Sequence, residues 1–173
     1  SAALGFSQKS SIPFELGIIR SHYVGRTFIE PSQTIRQFGV KLKHSVNRSC
    51  IEDKRVILID DSIVRGTTAS KIVKMVYEAG AKEVHLGISC PPIKHPDFYG
   101  IDTPNYNELI ASKSNIEEMT ELVGAKSLFF LSLDGTYKAM GYNERNKELP
   151  QFTDHCFTGE YPIDISEILK INS

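Results

Sequence analysis

Two adjacent carboxylates, Asp60 and Asp61, follow the apolar run Val56-Ile57-Leu58-Ile59 and precede Ser62-Ile63-Val64-Arg65-Gly66-Thr67-Thr68. Four apolar residues without polar alternation read as a strand buried on both faces, as in a parallel sheet. The acids then fall where the strand emerges. In open parallel sheets, ligands sit at the carboxyl ends of strands, beside helix N-termini. Gly66 has no Cβ and tolerates positive φ, so the backbone there can approach a phosphate. N–H groups from Arg65 to Thr68 can converge on one anion, helped by the helix dipole. Thr67 and Thr68 add hydroxyl donors, and one of them is placed to cap the helix. Asp60 and Asp61 would repel that phosphate, so they face sugar hydroxyls, a Mg²⁺, or both. The stretch predicts a site for a phosphorylated sugar and a divalent metal.

Parts of the pattern occur in other settings. A strand ending in Asp-Asp also serves metal sites of receiver domains and nucleoside triphosphatases. The second class wants a G-x-x-x-x-G-K-[ST] loop, which this sequence lacks. A receiver domain places its acids after an early strand and has no need of Gly-Thr-Thr. Acids that merely cap the helix are the bland alternative.

The flanking pattern must position these groups. After the turn, Ile72, Val73, Val76 and Ala79 recur at helical spacing, with Met75 beside them and Gly80 as the terminating glycine. Residues 84–90 form the next strand, ended by Pro91-Pro92. Strand, helix and strand within that span predict a right-handed crossover of a parallel sheet. Upstream, a helix end is expected to about Lys9, a turn at Ser10-Ser11-Ile12-Pro13, and a strand over 14–20. Ser32 or Thr34 opens a short helix to Gly39, and 40–50 is extended or a mobile loop, of the length that often serves as a lid. Downstream come a loop over 93–104 holding Phe98-Tyr99, and a short helix over 106–112. A capping box at Ser114-Asn115-Ile116-Glu117 opens a helix ending at Gly124. A buried strand over 128–131 and helical turns over 134–140 follow. Periodicity is weak after Gly141.

The 173 residues suit one domain with a sizeable core, and a net charge of -1 with 40% apolar residues favours a globular chain over disorder. No apolar run approaches the roughly 20 residues of a membrane span, and no signal peptide opens the chain. The chain begins without Met in mid-pattern, and is expected to be cut at that end. Cys50, Cys90 and Cys156 are odd in number and lack a spacing pattern, which argues for free thiols in a reducing compartment. Bases cluster early: Arg20, Arg26, Arg36, Lys41, Lys43 and Arg48 stand against Glu30 alone over 16–50. A basic stretch beside an acidic metal site suits an anionic, metal-bound ligand. Nucleic acid is disfavoured because these bases are sparse and carry no recognised motif. His22 and His44 read as exposed loop residues or pyrophosphate contacts, His85 as a satisfied sheet residue. His95 and His155 show no metal-ligand pattern.

The string over 56–68 resembles the phosphoribosyl pyrophosphate (PRPP) binding motif of type I phosphoribosyltransferases. More closely, the chain resembles the amidophosphoribosyltransferases. Tyr23-Val24-Gly25-Arg26-Thr27-Phe28-Ile29 with Pro31-Ser32-Gln33 matches that family's flexible loop. Glu78-Ala79-Gly80-Ala81-Lys82-Glu83-Val84, Phe98-Tyr99-Gly100-Ile101-Asp102, Glu108-Leu109-Ile110-Ala111 and Cys156-Phe157-Thr158-Gly159 also fit, so the likeness runs from Ala2 to about Pro162.

The resemblance implies an α/β fold, a parallel sheet flanked by helices of the type I phosphoribosyltransferase kind, amino-terminally truncated. That domain would occupy 1–141, with a lid at about 21–44. Residues 142–173 would be a carboxyl-terminal extension packing on it or on the family's glutaminase domain. It implies ammonia transfer to PRPP, giving 5-phosphoribosylamine and pyrophosphate at the first committed step of purine synthesis. Ser62, Ile63, Val64, Arg65, Gly66, Thr67 and Thr68 would cradle the 5-phosphate, and Asp60 and Asp61 the ribose hydroxyls and Mg²⁺. Arg26 would face pyrophosphate, while Tyr23 and Ile29 would line the ammonia path. The family further implies glutamine as ammonia source, purine nucleotide inhibitors, a cytoplasmic homo-oligomer (dimer or tetramer), and no nucleic acid or membrane partner.

This sequence also departs from the family. The glutaminase domain and a Val-Pro-Asp-Ser segment that helps bind metal are missing, so the chain is expected to be inactive with glutamine. Some members carry an iron–sulfur cluster on four Cys. Here Asp97 and Thr153 stand at two of those positions and Cys156 at a third, so no cluster is expected. Two further readings stay open: a non-catalytic PRPP- or nucleotide-binding regulatory module, and a phosphoribosyltransferase acting on a nucleobase, which the YVGRTFI and FYGID strings oppose.

Overall fold

The structure, a computed structural model, describes residues 1–20, 44–101, 103 and 105–166. Its centre is a parallel three-stranded sheet in the order β3 (Arg55–Asp60), β4 (Glu83–Ile88), β5 (Ser127–Phe130). The register pairs Ile59 with Gly87 and Gly87 with Phe129, and sets Asp60 opposite Ile88. Before it, β1 (Ile18–Arg20) and β2 (His44–Val46) form an antiparallel pair.

Side-chain alternation along β4 decides the layers. Val84, Leu86 and Ile88 point to one face and are buried with Leu128. Helix α3 (Thr67–Glu78) covers that face with Ala69, Ile72, Val73 and Val76, as its spacing requires. Helix α5 (Ile116–Val123) adds Met119 and Val123. On the opposite face α1 (Ala2–Ser10) sets Phe6 beside Phe129, with ring centroids 6.1 Å apart.

The ends of α3 explain its length. Gly66, at φ 75°, is its N-cap. At the other end Gly80 lies at φ 97°, with its N–H on the Tyr77 carbonyl at 2.9 Å and the Ala81 N–H on Val76 at 3.3 Å. That pair of bonds is the glycine-ended helix stop the sequence predicted.

Several expectations are corrected. Val56, Ile57, Leu58 and Ile59 are half-buried rather than buried on both faces, because β3 lies at the rim of the described sheet while β4 takes the centre. The strand expected over 14–20 is confined to Ile18–Arg20; Phe14 and Leu16 are exposed and have no strand partner among the described residues. Within 40–50, residues 44–46 are β2 and Arg48–Ile51 is a short helix, α2. The helix expected over 106–112 is a turn followed by α4 (Ile110–Lys113), since Asn105 Oδ1 accepts the Asn107 N–H and holds the turn. The capping box sits one residue later than expected, on Asn115 and Glu118, whose side chains take each other's backbone N–H at 2.9 and 3.0 Å. Of the strand expected over 128–131, only Leu128 is buried. Helix α6 (Leu133–Ala139) is capped by Ser132, and α7 (His155–Thr158) is the one helix after it whose bounds are described. The helix expected near 34–39 lies outside the described residues.

Candidate functional site

The acidic pair stands where β3 ends. Asp60 is its last residue, and Asp60 O accepts the Ser89 N–H at 3.0 Å and the Ser89 hydroxyl at 3.1 Å, which anchors the strand end to the residue after β4. Asp60 Oδ1 accepts the Asp61 N–H at 2.9 Å, and Asp61 Oδ1 accepts the Ser62 hydroxyl at 3.1 Å. Asp61 is exposed. Both acids raise the neighbouring Cys90 thiol, though burial does more; together they push it up to about 11. Oxygen donors of this kind, half-solvated and at one strand end, fit a hard cation that keeps part of its water.

The turn behind the pair is built by packing. Ile63 is buried, and Val64 O accepts the Ile110 N–H at 3.0 Å. Arg65 Nε meets Glu108 Oε2, so the turn is tied at two points, to the segment before α4 and to the first residue of α4 itself. Gly66 then reverses the chain into α3. No side chain caps this helix, contrary to the expectation for Thr67 or Thr68. With Gly66 as N-cap, the two threonines occupy the first two helical positions and are exposed. The first-turn N–H groups, both hydroxyls and the helix dipole thus share the end of the sheet that carries Asp60 and Asp61. A cavity of about 800 Å³ lies against the other face, lined by Phe6, Phe14, Ile57, Ile59 and Phe129. It holds neither acid, so it is not this site.

Residues 60–68 thus run from the last residue of β3 through the turn into the first two positions of α3. Tyr23, Arg26 and Ile29, with His22, Lys41 and Lys43, lie outside the described residues. Sequence reasoning missed the Arg65–Glu108 tie, because no local pattern links residues that far apart. It also missed a second cluster. Asp97, His155 and Cys156 each offer a ligand atom within 4.8 Å of the others, against the expectation that His155 has no metal-ligand company. Their approach comes from the packing of the loop after β4 on α7, where Cys156 O accepts the Lys94 and His95 N–H groups at 2.9 and 3.1 Å. Burial works to raise Asp97, but the Ile101 and Tyr99 N–H groups and His155 outweigh it and hold the carboxyl below its usual range. Burial, then Asp97, pushes the Cys156 thiol up to about 11. His85 is satisfied as expected, with Nδ1 on Ser127 Oγ at 2.8 Å. Phe98 and Tyr99 pack against Tyr161 and His155.

A parallel sheet flanked by helices, with an acidic strand end, a glycine reversal and an uncapped helix start, is the α/β arrangement that the resemblance to type I phosphoribosyltransferases implied. Comparison with known proteins narrows it. No protein-family model matches the chain. It is 63% identical over 162 residues to an amidophosphoribosyltransferase of Rhizobium etli, covering 93% of this chain and 33% of that protein. It is 52% identical over 165 residues to the Bacillus subtilis amidophosphoribosyltransferase, covering 95% and 34%. The solved structure of the B. subtilis glutamine PRPP amidotransferase complexed with ADP and GMP superposes with a TM-score of 0.82 at 51% identity, over 96% of this chain and 36% of that one. Over nearly its whole length the chain is similar to a part of these amidophosphoribosyltransferases. It spans about a third of the length of the curated relatives it matches.

Proposed function

We propose that this chain supplies the PRPP site of a transferase that joins ammonia to PRPP, giving 5-phosphoribosylamine and pyrophosphate for purine synthesis. The observation that carries the reading is the placement of Asp60 and Asp61 at the end of β3, one short turn before the positive-φ Gly66 that opens α3. In this reading the N–H groups and hydroxyls of residues 62–68 hold the 5-phosphate. The carboxylates of Asp60 and Asp61 orient the ribose hydroxyls and hold Mg²⁺. When bound, Mg²⁺ offsets charge on the departing pyrophosphate. By the resemblance, Arg26 would contact that pyrophosphate, Tyr23 and Ile29 would serve the path of ammonia, and the stretch at about 21–44 would be the lid that keeps water from an electron-poor sugar carbon. Ammonia is itself the nucleophile, so no side chain need become one.

The whole protein takes its ammonia from glutamine, works in the cytoplasm as a homo-oligomer and is inhibited by purine nucleotides, without nucleic acid or membrane partners. The complex of the B. subtilis enzyme with ADP and GMP supports the nucleotide part. Asp97 and Thr153 at two cluster positions support a chain without an iron–sulfur cluster.

Calorimetric titration with PRPP and Mg²⁺ tests the site. Wild-type chain binds; Asp60→Asn, with an unchanged circular dichroism spectrum, does not. Equal binding by the variant overturns the assignment. Phosphoribosylamine formation from PRPP and free ammonia at alkaline pH then tests the reaction, on this chain and on the full-length gene product. Binding without transfer in both would make the protein a regulatory binder.

A further inference from the structure

Where the loop after β4 meets α7, the side chains are arranged for a ligand of a different class. Asp97 is fixed from behind: its Oδ1 accepts the Tyr99 N–H at 2.8 Å and the Ile101 N–H at 2.9 Å. That leaves Oδ2, which meets His155 Nε2 at 2.8 Å. Both residues are buried, and Cys156 beside them is half-buried. The other ring nitrogen, His155 Nδ1, is the one buried side-chain nitrogen or oxygen without a hydrogen-bond partner among the described residues. Leaving a buried polar atom unpaired costs about 1–3 kcal/mol, so an orphan in an otherwise satisfied cluster points to an absent partner.

We propose that His155 and Cys156, with Asp97 behind the imidazole, form a site for one zinc-class divalent cation. With Nε2–H donated to Asp97, the lone pair left on the ring is that of Nδ1, and a neutral imidazole is the form that binds metal. A carboxylate behind a ligating histidine fixes its tautomer and orientation and raises its basicity. The Cys156 thiolate selects the ion: sulfur with nitrogen favours zinc, cobalt or ferrous iron over magnesium or calcium. The oxygen pair at Asp60 and Asp61 has the opposite preference. Tyr99 and Tyr161 both pack against the ring, with centroids 5.1 and 5.0 Å away. One ligand atom each from Asp97, His155 and Cys156 lies within 4.8 Å of the other two. Bonds of about 2.0 Å to nitrogen and 2.3 Å to sulfur place ligand atoms about 3.5 Å apart, so the metal would draw the side chains closer than the 4.8 Å within which they already offer ligand atoms. Cys156 is only half-buried, so the site is not sealed from solvent and water can complete the coordination. Binding releases the Cys156 proton to solvent and changes no oxidation state.

The test is a titration of the full chain with Co²⁺ alone, in excess Mg²⁺ to fill the oxygen site. One equivalent is expected to bind, with a thiolate-to-cobalt charge-transfer band that Zn²⁺ abolishes on displacing it. Cys156→Ser, a near-isosteric change at a half-buried position, is expected to keep the fold and lose the band. Asp97→Asn should weaken binding by about 10- to 100-fold without removing the band at saturation. Absence of the band in the wild type overturns the proposal. So does its persistence in Cys156→Ser, which would move the ligand to Cys50 or Cys90. Stoichiometric acid-labile sulfide after reconstitution with iron would also overturn it, in favour of a cluster.

Discussion

Arg65 Nε and Glu108 Oε2 lie 2.5 Å apart across a sequence separation of 43 residues, joining the phosphate turn to the segment before α4. Both side chains are about half exposed, so as a stability contribution the pair is worth only about 0–1 kcal/mol. Its role is positional, because the same turn is held by the Ile110 N–H on Val64 O. Glu108→Ala should therefore change unfolding by less than about 1 kcal/mol while weakening PRPP binding several-fold. Denaturation and calorimetry on one preparation decide it; unchanged affinity would leave the pair a mere surface contact.

Gly66→Ala meets two obstacles. At φ 75° any side chain is strained, at a cost of about 1–2 kcal/mol, and a Cβ would lie 3.1 Å from Ile110 Cδ1. Reversal into α3 would shift, taking the first-turn N–H groups with it. Loss of about 1–3 kcal/mol in denaturant unfolding, together with lost PRPP binding, is the expected result. A variant of wild-type stability and affinity would show that the turn has no need of glycine.

Gly87 is a purely structural counterpart. The register sets it between Ile59 and Phe129, whose side chains lie over it. A Cβ there would stand within 2.6 Å of two Phe129 ring carbons and 2.8 Å from Ile59 Cδ1. Gly87→Ala should cost about 1–3 kcal/mol through overpacking, read as a lower denaturation midpoint. A neutral result would mean that the Phe129 ring, partly exposed on its outer side, swings clear.

What was legible in the sequence was local. The run Val56-Ile57-Leu58-Ile59 as a strand, Gly66 as a positive-φ reversal and the stripe from Ile72 to Val76 as a buried helix face each carry their own periodicity or backbone constraint, and those elements form where the sequence puts them. Boundaries went wrong where a neighbouring residue could do the same job: Asn115 caps in place of Ser114, and Gly66 in place of a threonine. The half-burial of β3 was unreadable, because it depends on which strand takes the centre of the sheet. Long-range side-chain meetings leave no local trace. Arg65 with Glu108 and Asp97 with His155 are set by how loops dock, and only the fold brings them together.

The buried network around Asp154 gives a prediction in pH. Arg145 grips Asp154 with Nε on Oδ2 and Nη2 on Oδ1, and the Tyr137 hydroxyl donates to Oδ2 at 2.8 Å. Only 9% of the Arg145 side chain and 6% of the Asp154 side chain are exposed. Burial alone would raise the carboxyl, but Arg145 and then Tyr137 outweigh it and hold Asp154 below the usual range. Asp97 is shifted the same way. A carboxyl depressed in the folded state stabilises above its unfolded pKa of about 3.9, and that contribution is lost as pH falls through the folded value. Stability should thus be flat towards neutrality and fall below about pH 4. Asp154→Asn removes one partner of a buried pair and leaves Arg145 with Glu160 alone, at a cost of about 3–5 kcal/mol near pH 7. The asparagine does not titrate, so the two stability curves should converge as the pH is lowered. Parallel curves, measured by denaturant unfolding at each pH, would place the acid sensitivity elsewhere, with Asp97 the next group to change.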